Sequence, residues 1–232
     1  VMGNVRRGQL YPLCVGAERG IQAKCLADLA KKLGSETVAH GCTAAGNDQV
    51  RFEIVLKTLA PKLEVLAPVR DQAWAREAQL EYLESHGLPG PAAGPAYSIN
   101  RGLWGVTIGG TETLGSAQSI PESAWVLSSG ALDEPAPQQE LTIEFLQGVP
   151  VSLNGKGLDP VALIEELESL GSRFGIGRGI HLGDTILGTK GRVAFEAPSA
   201  EILLTCHREL EKLTLSPLQQ RIKDQVSQAY GD

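Results

Sequence analysis

His40-Gly41-Cys42-Thr43-Ala44-Ala45-Gly46-Asn47-Asp48-Gln49-Val50-Arg51-Phe52 is the stretch on which the reading of this chain turns. A short apolar run, Glu36 to His40, leads into it. Gly41 and Gly46 then punctuate a turn, where glycine permits backbone angles that bulkier residues resist. Beyond the turn, Val50, Ile54, Val55 and Leu59 recur at helical spacing until Pro61, so the segment reads as strand, sharp turn and helix, with Asn47 or Asp48 as the cap. Free amides at such a helix start attract anions. Arg51 follows Asn47 by four residues and Asp48 by three, which puts three polar side chains on one helical face. Amides, a hydroxyl, a carboxylate and a guanidinium can then converge on one pocket, a set suited to a substrate with both carboxylate and amine charges. The same residues also fit an ordinary capped amphipathic helix carrying an Asp-Arg surface pair.

Working outward, Ala17 to Leu33 reads as a helix with an apolar stripe at Ile21, Cys25, Leu26 and Leu29 and Gly34 as its stop. Thr37 to His40 reads as a short strand, residues 47 to 59 as the next helix, Leu63 to Val69 as a second strand ending at Pro68, and Ala73 to Ser85 as a third helix. This alternation predicts a parallel α/β sheet, with ligands beyond the carboxyl ends of the strands, where the Gly41 turn sits. Gly87, Pro89, Gly90, Pro91, Gly94 and Pro95 mark a domain boundary, dividing the chain into residues 1–90 and 91–232. Past it, Leu141 to Phe145 and Val149 to Leu153 read as a hairpin around Gln147-Gly148, followed by an Asn154-Gly155 turn. A helix opens at Asp159-Pro160 and runs to about Phe174. Short strands follow at Thr185 to Leu187 and Arg192 to Phe195, then a helix from Pro198 to Leu213 and a terminal helix from Pro217. The second part is therefore α+β, with residues 109–140 as irregular surface structure and no internal repeat.

The composition bounds the function. At 232 residues and 42% hydrophobic content, the chain can bury one large core or two smaller ones. No apolar stretch approaches the roughly 20 residues that span a bilayer, and Val1-Met2-Gly3-Asn4 is not a signal peptide, so a cytoplasmic protein without a membrane partner is expected. Acidic residues outnumber basic ones by 27 to 21, a formal charge of -6, which argues against a broad nucleic-acid surface. Cys14, Cys25, Cys42 and Cys206 form no CxxC pair and read as reduced, isolated small apolar residues. His40, His86, His181 and His207 share no ligand spacing, so no metal site is assigned, and His207 reads as a buried polar or interface residue. Trp74, Trp104 and Trp125 read as packing residues, and Glu165-Glu166-Leu167-Glu168 as a solvated helix face. Gly175-Ile176-Gly177-Arg178-Gly179 lacks a preceding strand and is not read as dinucleotide-binding.

Ordered landmarks run nearly the whole length: Tyr11-Pro12-Leu13, the residue 40–52 motif, Leu66-Ala67-Pro68, Tyr97-Ser98-Ile99-Asn100, Gly175-Ile176-Gly177-Arg178, Phe195-Glu196-Ala197-Pro198 and His207-Arg208. In these the chain resembles the argininosuccinate synthase family. The resemblance implies the back half of an ATP-pyrophosphatase-type parallel-sheet nucleotide-binding domain followed by an α+β synthetase domain, assembled as a homotetramer. It implies synthesis of argininosuccinate from citrulline and aspartate: ATP, with Mg, adenylates the ureido oxygen, pyrophosphate leaves, and the aspartate amine displaces AMP. By the same resemblance Gly41 approaches ATP; Thr43, Asn47 and Asp48 hold aspartate; and Tyr11, Asn47, Arg51, Ser98 and Thr107 hold citrulline. No residue is assigned as a catalytic nucleophile.

The chain departs from the family pattern at several places. Ala44-Ala45 stands for Gly-Lys, Cys14-Val15-Gly16-Ala17 lacks the commoner serine, and Gly102, Thr107, Gly183 and Phe195 stand for asparagine, serine, glutamate and tyrosine. Gly183-Asp184-Thr185 and Lys190-Gly191-Arg192 resemble one branch of the family. Gly183 and Phe195 cannot make the polar contacts of the residues they replace. No SGGxD[ST] phosphate loop occurs in the sequence, so the chain reads as an internal portion of a longer synthase that is nearly inactive alone. Two other readings stay open: an inactive amino-acid-binding homologue or scaffold, and another ATP-pyrophosphatase-type enzyme, such as one transferring sulfur to RNA.

Overall fold

Gly16–Leu33 forms α1, the first helix of a unit that comprises Gly16–Pro95 and Asp184–Thr189. The computed structural model describes residues 1–44, 46–90, 97–185, 188 and 190–232. After α1 come β1 (Thr37–Ala39), α2 (Asp48–Leu59), β2 (Glu64–Leu66), the short α3 (Pro68–Asp71) and α4 (Arg76–Ser85). β1 and β2 pair in parallel, Thr37 with Glu64, Val38 with Val65 and Ala39 with Leu66, so this unit has the expected α/β grammar. The second strand is shorter than the expected Leu63 to Val69, because Pro68 opens a helical turn as its first residue, where its missing N–H costs nothing. Of the proline- and glycine-rich boundary, Pro91, Gly94 and Pro95 lie outside the described residues.

The core of this unit corrects the expected face of α1. Ala23, Ala27 and Ala30 are buried against Val38 and Leu56, with Leu26, Phe52 and Val55 packed around them. Ile21 and Leu29, expected in the core, are 65% and 50% exposed, and Cys25 is exposed as well. Two stripes at helical spacing compete on this helix, and the alanine stripe wins because small side chains let α2 approach closely.

The other unit takes in Val1–Val15, Ala96–Gly183 and Lys190–Asp232. β3 (Ser98–Gly102) and β4 (Gly105–Gly109) form a hairpin that the sequence reading did not anticipate, closed by the Gly102 to Gly105 turn. The three-stranded antiparallel sheet β5 (Ile143–Leu146), β6 (Val149–Leu153) and β7 (Lys156–Gly157) contains the expected hairpin and the Asn154-Gly155 turn. α5 (Pro160–Ser172) is capped by Asp159, whose carboxylate accepts from the amides of Val161 and Ala162. β8 (Arg178–Asp184) and β9 (Lys190–Glu196) complete a four-stranded sheet in the order β3-β4-β9-β8. β8 was not expected at Arg178–Asp184, and of the strand expected at Thr185 to Leu187, Ile186 and Leu187 fall outside the described residues. α6 (Pro198–Glu211) and α7 (Pro217–Gly231) follow, the latter opened by a Ser216–Gln219 capping box. Leu153, Leu163, Leu167 and Leu203 form one core cluster, and Val106, Ile108, Ile120, Ala124 and Ala194 another.

Residues 109–140 are irregular but not confined to the surface. Thr113, Ile120, Ala124 and Ser128 are buried; Ile120 and Ala124 pack with Val106, Ile108 and Ala194, and the chain at 126–128 is held by Glu196. Its fully buried carboxylate accepts from the amides of Val126 (2.6 Å), Leu127 (2.9 Å) and Ser128 (2.9 Å) and from the Ser128 hydroxyl (2.5 Å). Arg178 adds a bidentate pair to Glu122 at 2.8 and 2.7 Å and lies 4.8 Å from the Trp125 ring centroid. The Gly-Ile-Gly-Arg landmark is thus a helix-to-strand connection. A Cβ on Gly177 would meet the Ala197 carbonyl carbon at 2.5 Å, so this landmark and Phe195-Glu196-Ala197-Pro198 pack together backbone to backbone.

Candidate functional site

β1 delivers His40 to the end of the parallel pair, where its amide donates to the Leu66 carbonyl at 3.0 Å. The chain then turns through Cys42, whose amide donates to His40 Nδ1 at 3.3 Å, and Gly46, whose amide donates to the Thr43 carbonyl at 3.2 Å. Gly41 and Gly46 do not adopt positive φ, which corrects the expectation that the turn needs glycine for its backbone angles. A Cβ on Gly41 would meet nothing within 4 Å. The space beside it is open, and that suits close approach of a ligand better than backbone strain does.

Asn47 occupies the N-cap position with helical angles, φ -73 and ψ -23, and its side chain makes no cap hydrogen bond. Asp48 is the first helical residue. Its carboxylate is shared: Arg19 Nε donates to Oδ2 at 3.0 Å and Arg51 Nη1 to Oδ1 at 2.9 Å. The expected Asp48–Arg51 neighbours therefore meet directly. Arg19, on α1, joins them from 29 residues away in sequence, and nothing in the local pattern marks it. The Arg51 guanidinium lies against Gly16, where a Cβ would stand 3.4 Å from Nη2. Two guanidiniums and one carboxylate leave one net positive charge beside the turn. Burial, and then the Asp48 charge, raise the Cys42 thiol above its ordinary range, while Arg19 and Arg70 oppose the shift.

The other unit gathers the remaining predicted residues on one sheet face. Thr107 on β4 stands opposite Asn100 on β3 and Phe195 on β9, and Ser98, two residues from Asn100, shares that face and is exposed. Tyr11 is buried, with its ring 5.1 Å from Phe195 and stacked 5.7 Å from His181. Phe195 is 2% exposed and occupies the space that Gly179 leaves open, where a Cβ would collide with the ring. A Cβ on Gly183 would come within 2.7 Å of His181 Nε2, so the histidine ring fills the space beside that glycine.

Burial, with help from the Arg7 charge, lowers the His181 pKa below the ordinary imidazole value, against the opposing charge of Asp232. His207 is buried as expected, 3.0 Å from Glu211 Oε1. Glu168, expected on a solvated face, accepts from Arg101 at 2.7 Å beside a groove of about 1310 Å³. Among the described residues no group of three or more His, Cys, Asp or Glu side chains is arranged to hold a metal ion, and no helix is long and apolar enough to cross a membrane.

A parallel α/β unit with a polar turn at its strand end, in one chain with an α+β unit, defines a HUP-type protein carrying a second domain. Residues 1–89 match the arginosuccinate synthase N-terminal HUP domain and residues 97–232 the arginosuccinate synthase C-terminal domain. The chain belongs to the argininosuccinate synthase family. It is similar to the argininosuccinate synthases of Lactococcus lactis subsp. cremoris (39% identity over 91% of this chain and 54% of the relative). The relatives from Methanocaldococcus jannaschii (37%, 96% and 56%) and Symbiobacterium thermophilum (40%, 96% and 56%) match comparably. The chain spans about half the length of these curated relatives.

Proposed function

We propose that this chain carries the amino-acid-binding part of an enzyme that synthesises argininosuccinate from citrulline and aspartate in arginine biosynthesis, with ATP cleaved to AMP and pyrophosphate through citrullyl-adenylate. The observation that carries the proposal is the cluster at the start of α2, where Asp48 is shared by Arg51 and Arg19, two cations to one anion, in a segment that also holds Thr43 and Asn47 and follows the open space at Gly41. In this reading Tyr11, Asn47, Arg51, Ser98 and Thr107 hold citrulline; Thr43, Asn47 and Asp48 hold aspartate; and Gly41 lies against ATP, which brings Mg as part of the substrate complex. The domains divide at about residue 90, and the enzyme works in the cytoplasm as a homotetramer. No side chain acts as nucleophile. The rate comes from holding citrulline, triphosphate and aspartate in line and from stabilising charge as pyrophosphate leaves.

The two steps are separable in the synthase that carries this chain. Arg51→Ala should suppress citrulline-dependent positional isotope exchange in ATP, which reports adenylation alone. Asp48→Asn should leave that exchange largely intact and slow argininosuccinate formation. Loss of exchange in Asp48→Asn, or full exchange in Arg51→Ala, overturns these roles. A second reading, an inactive amino-acid-binding homologue, is favoured by the apolar Gly183 and Phe195. Citrulline binding with no exchange in the unaltered protein would establish it.

A further inference from the structure

The shared carboxylate at the start of α2 assigns work to a residue outside the motif. Arg19 and Arg51 approach Asp48 from different helices and take one oxygen each. Their side chains are 17% and 20% exposed, against 32% for Asp48, so the two cations are held in a more protected setting than the anion between them. An Asp48 carboxylate that met Arg51 alone could turn both oxygens onto it, as carboxylate–guanidinium pairs do when nothing competes. Such a pair is electrically neutral, and its guanidinium is a weaker partner for another carboxylate. Arg19 prevents this by keeping Oδ2. Arg51 is seated against Gly16, and the three side chains together carry two positive charges against one negative.

We propose that Arg19 is a positioning residue of the substrate site: by holding one oxygen of Asp48 it limits Arg51 to a single bond with that carboxylate and leaves its charge for the carboxylate of the substrate. The proposal rests on the reading of Arg51 as a citrulline ligand. Arg19 acts through Asp48 and does not touch substrate.

The test uses the synthase that carries this chain. Arg19→Ala should raise the citrulline KM about tenfold, the loss typical of one weakened charge-assisted contact, with kcat changed much less. Arg19→Lys should recover part of the loss. Binding of citrulline α-carboxamide, which has no carboxylate to recognise, should be unchanged in Arg19→Ala. In an Asp48→Asn background, Arg19→Ala should have no further effect. Equal losses for citrulline and its carboxamide would make Arg19 merely structural, and a full additional loss in the Asp48→Asn background would make it a direct ligand; either result overturns the proposal.

The 232-residue chain supplies an arm that needs no substrate. The 15Nε–H resonance of Arg51 should shift in Arg19→Ala while circular dichroism stays unchanged, and an unmoved resonance also overturns the proposal. An unaltered citrulline KM in Arg51→Ala would instead sink the underlying reading, leaving the resonance to decide whether Arg19 governs Arg51.

Discussion

Glu196 shows how much a single buried charge can organise. A carboxylate with no exposure is costly to desolvate, and three amides and a hydroxyl compensate it here. The consequence runs to the chain at 122–130, which is drawn onto β9 and locked again by Arg178. Glu196→Gln places an NH₂ group against donors that need an acceptor. It should cost about 3 kcal/mol, read as a lower urea midpoint with unchanged slope, and a loss under about 0.5 kcal/mol would mean that the loop holds itself. Gly179 carries a simpler prediction, because a methyl group there would enter the Phe195 ring. Gly179→Ala should cost about 1–3 kcal/mol. The loss should shrink when combined with Phe195→Leu, and additive losses would show that the ring is not the obstacle.

Among the elements, α1 tests whether packing or hydrophobicity selects a buried face. Ala27 is 4% exposed and faces α2, whereas Ile21 is 65% exposed. Ala27→Leu adds three carbons where two helices meet and should destabilise by about 1–3 kcal/mol. Ile21→Ala should change stability by no more than about 0.5 kcal/mol, as surface substitutions do. The reverse ranking in chemical denaturation would restore the Ile21–Cys25–Leu29 stripe to the core. The start of α2 is held differently: its first residue, Asp48, receives guanidiniums from its own helix and from α1.

Across the whole molecule, half-buried His181 and buried His207 set an acid limit on stability. Burial lowers the pKa of both His181 and His207. Between each native value and the ordinary value of about 6.5, the unfolded chain holds the extra proton, so stability rises with pH through that window and falls as the pH is lowered through it. Glu53 and Glu122 act lower on the scale, since bonds from Arg70 and Arg178 hold their carboxyls below the usual range; their contribution is present above the ordinary carboxylate value of about 4.3 and is lost below it. The melting temperature should therefore drop between about pH 7.5 and 5.5, and His181→Phe should flatten part of that slope. A wild-type slope that persists unchanged in His181→Phe would remove this histidine from the account. The 232-residue chain contains no SGGxD[ST] loop to cradle a triphosphate. Alone it should form argininosuccinate at a negligible rate in a coupled pyrophosphate assay, and turnover comparable to that of a complete synthase would overturn this expectation.

Local chemistry alone determined the strand–turn–helix at residues 37–59, the hairpin at 143–153 and the helices opening at 160 and 217, because spacing, caps and turn residues act within a few positions; the resemblance to the family rested separately on the ordered landmarks. What neighbouring residues cannot encode came only with the tertiary structure. The alanine face of α1 was chosen by the approach of α2, and the β3–β4 hairpin by pairing with β9. The clamp at Glu196 depends on contacts 68 to 70 residues apart, and Arg19 reaches Asp48 across 29. At such separations chain closure and desolvation decide which groups meet, and no periodicity in the sequence records either.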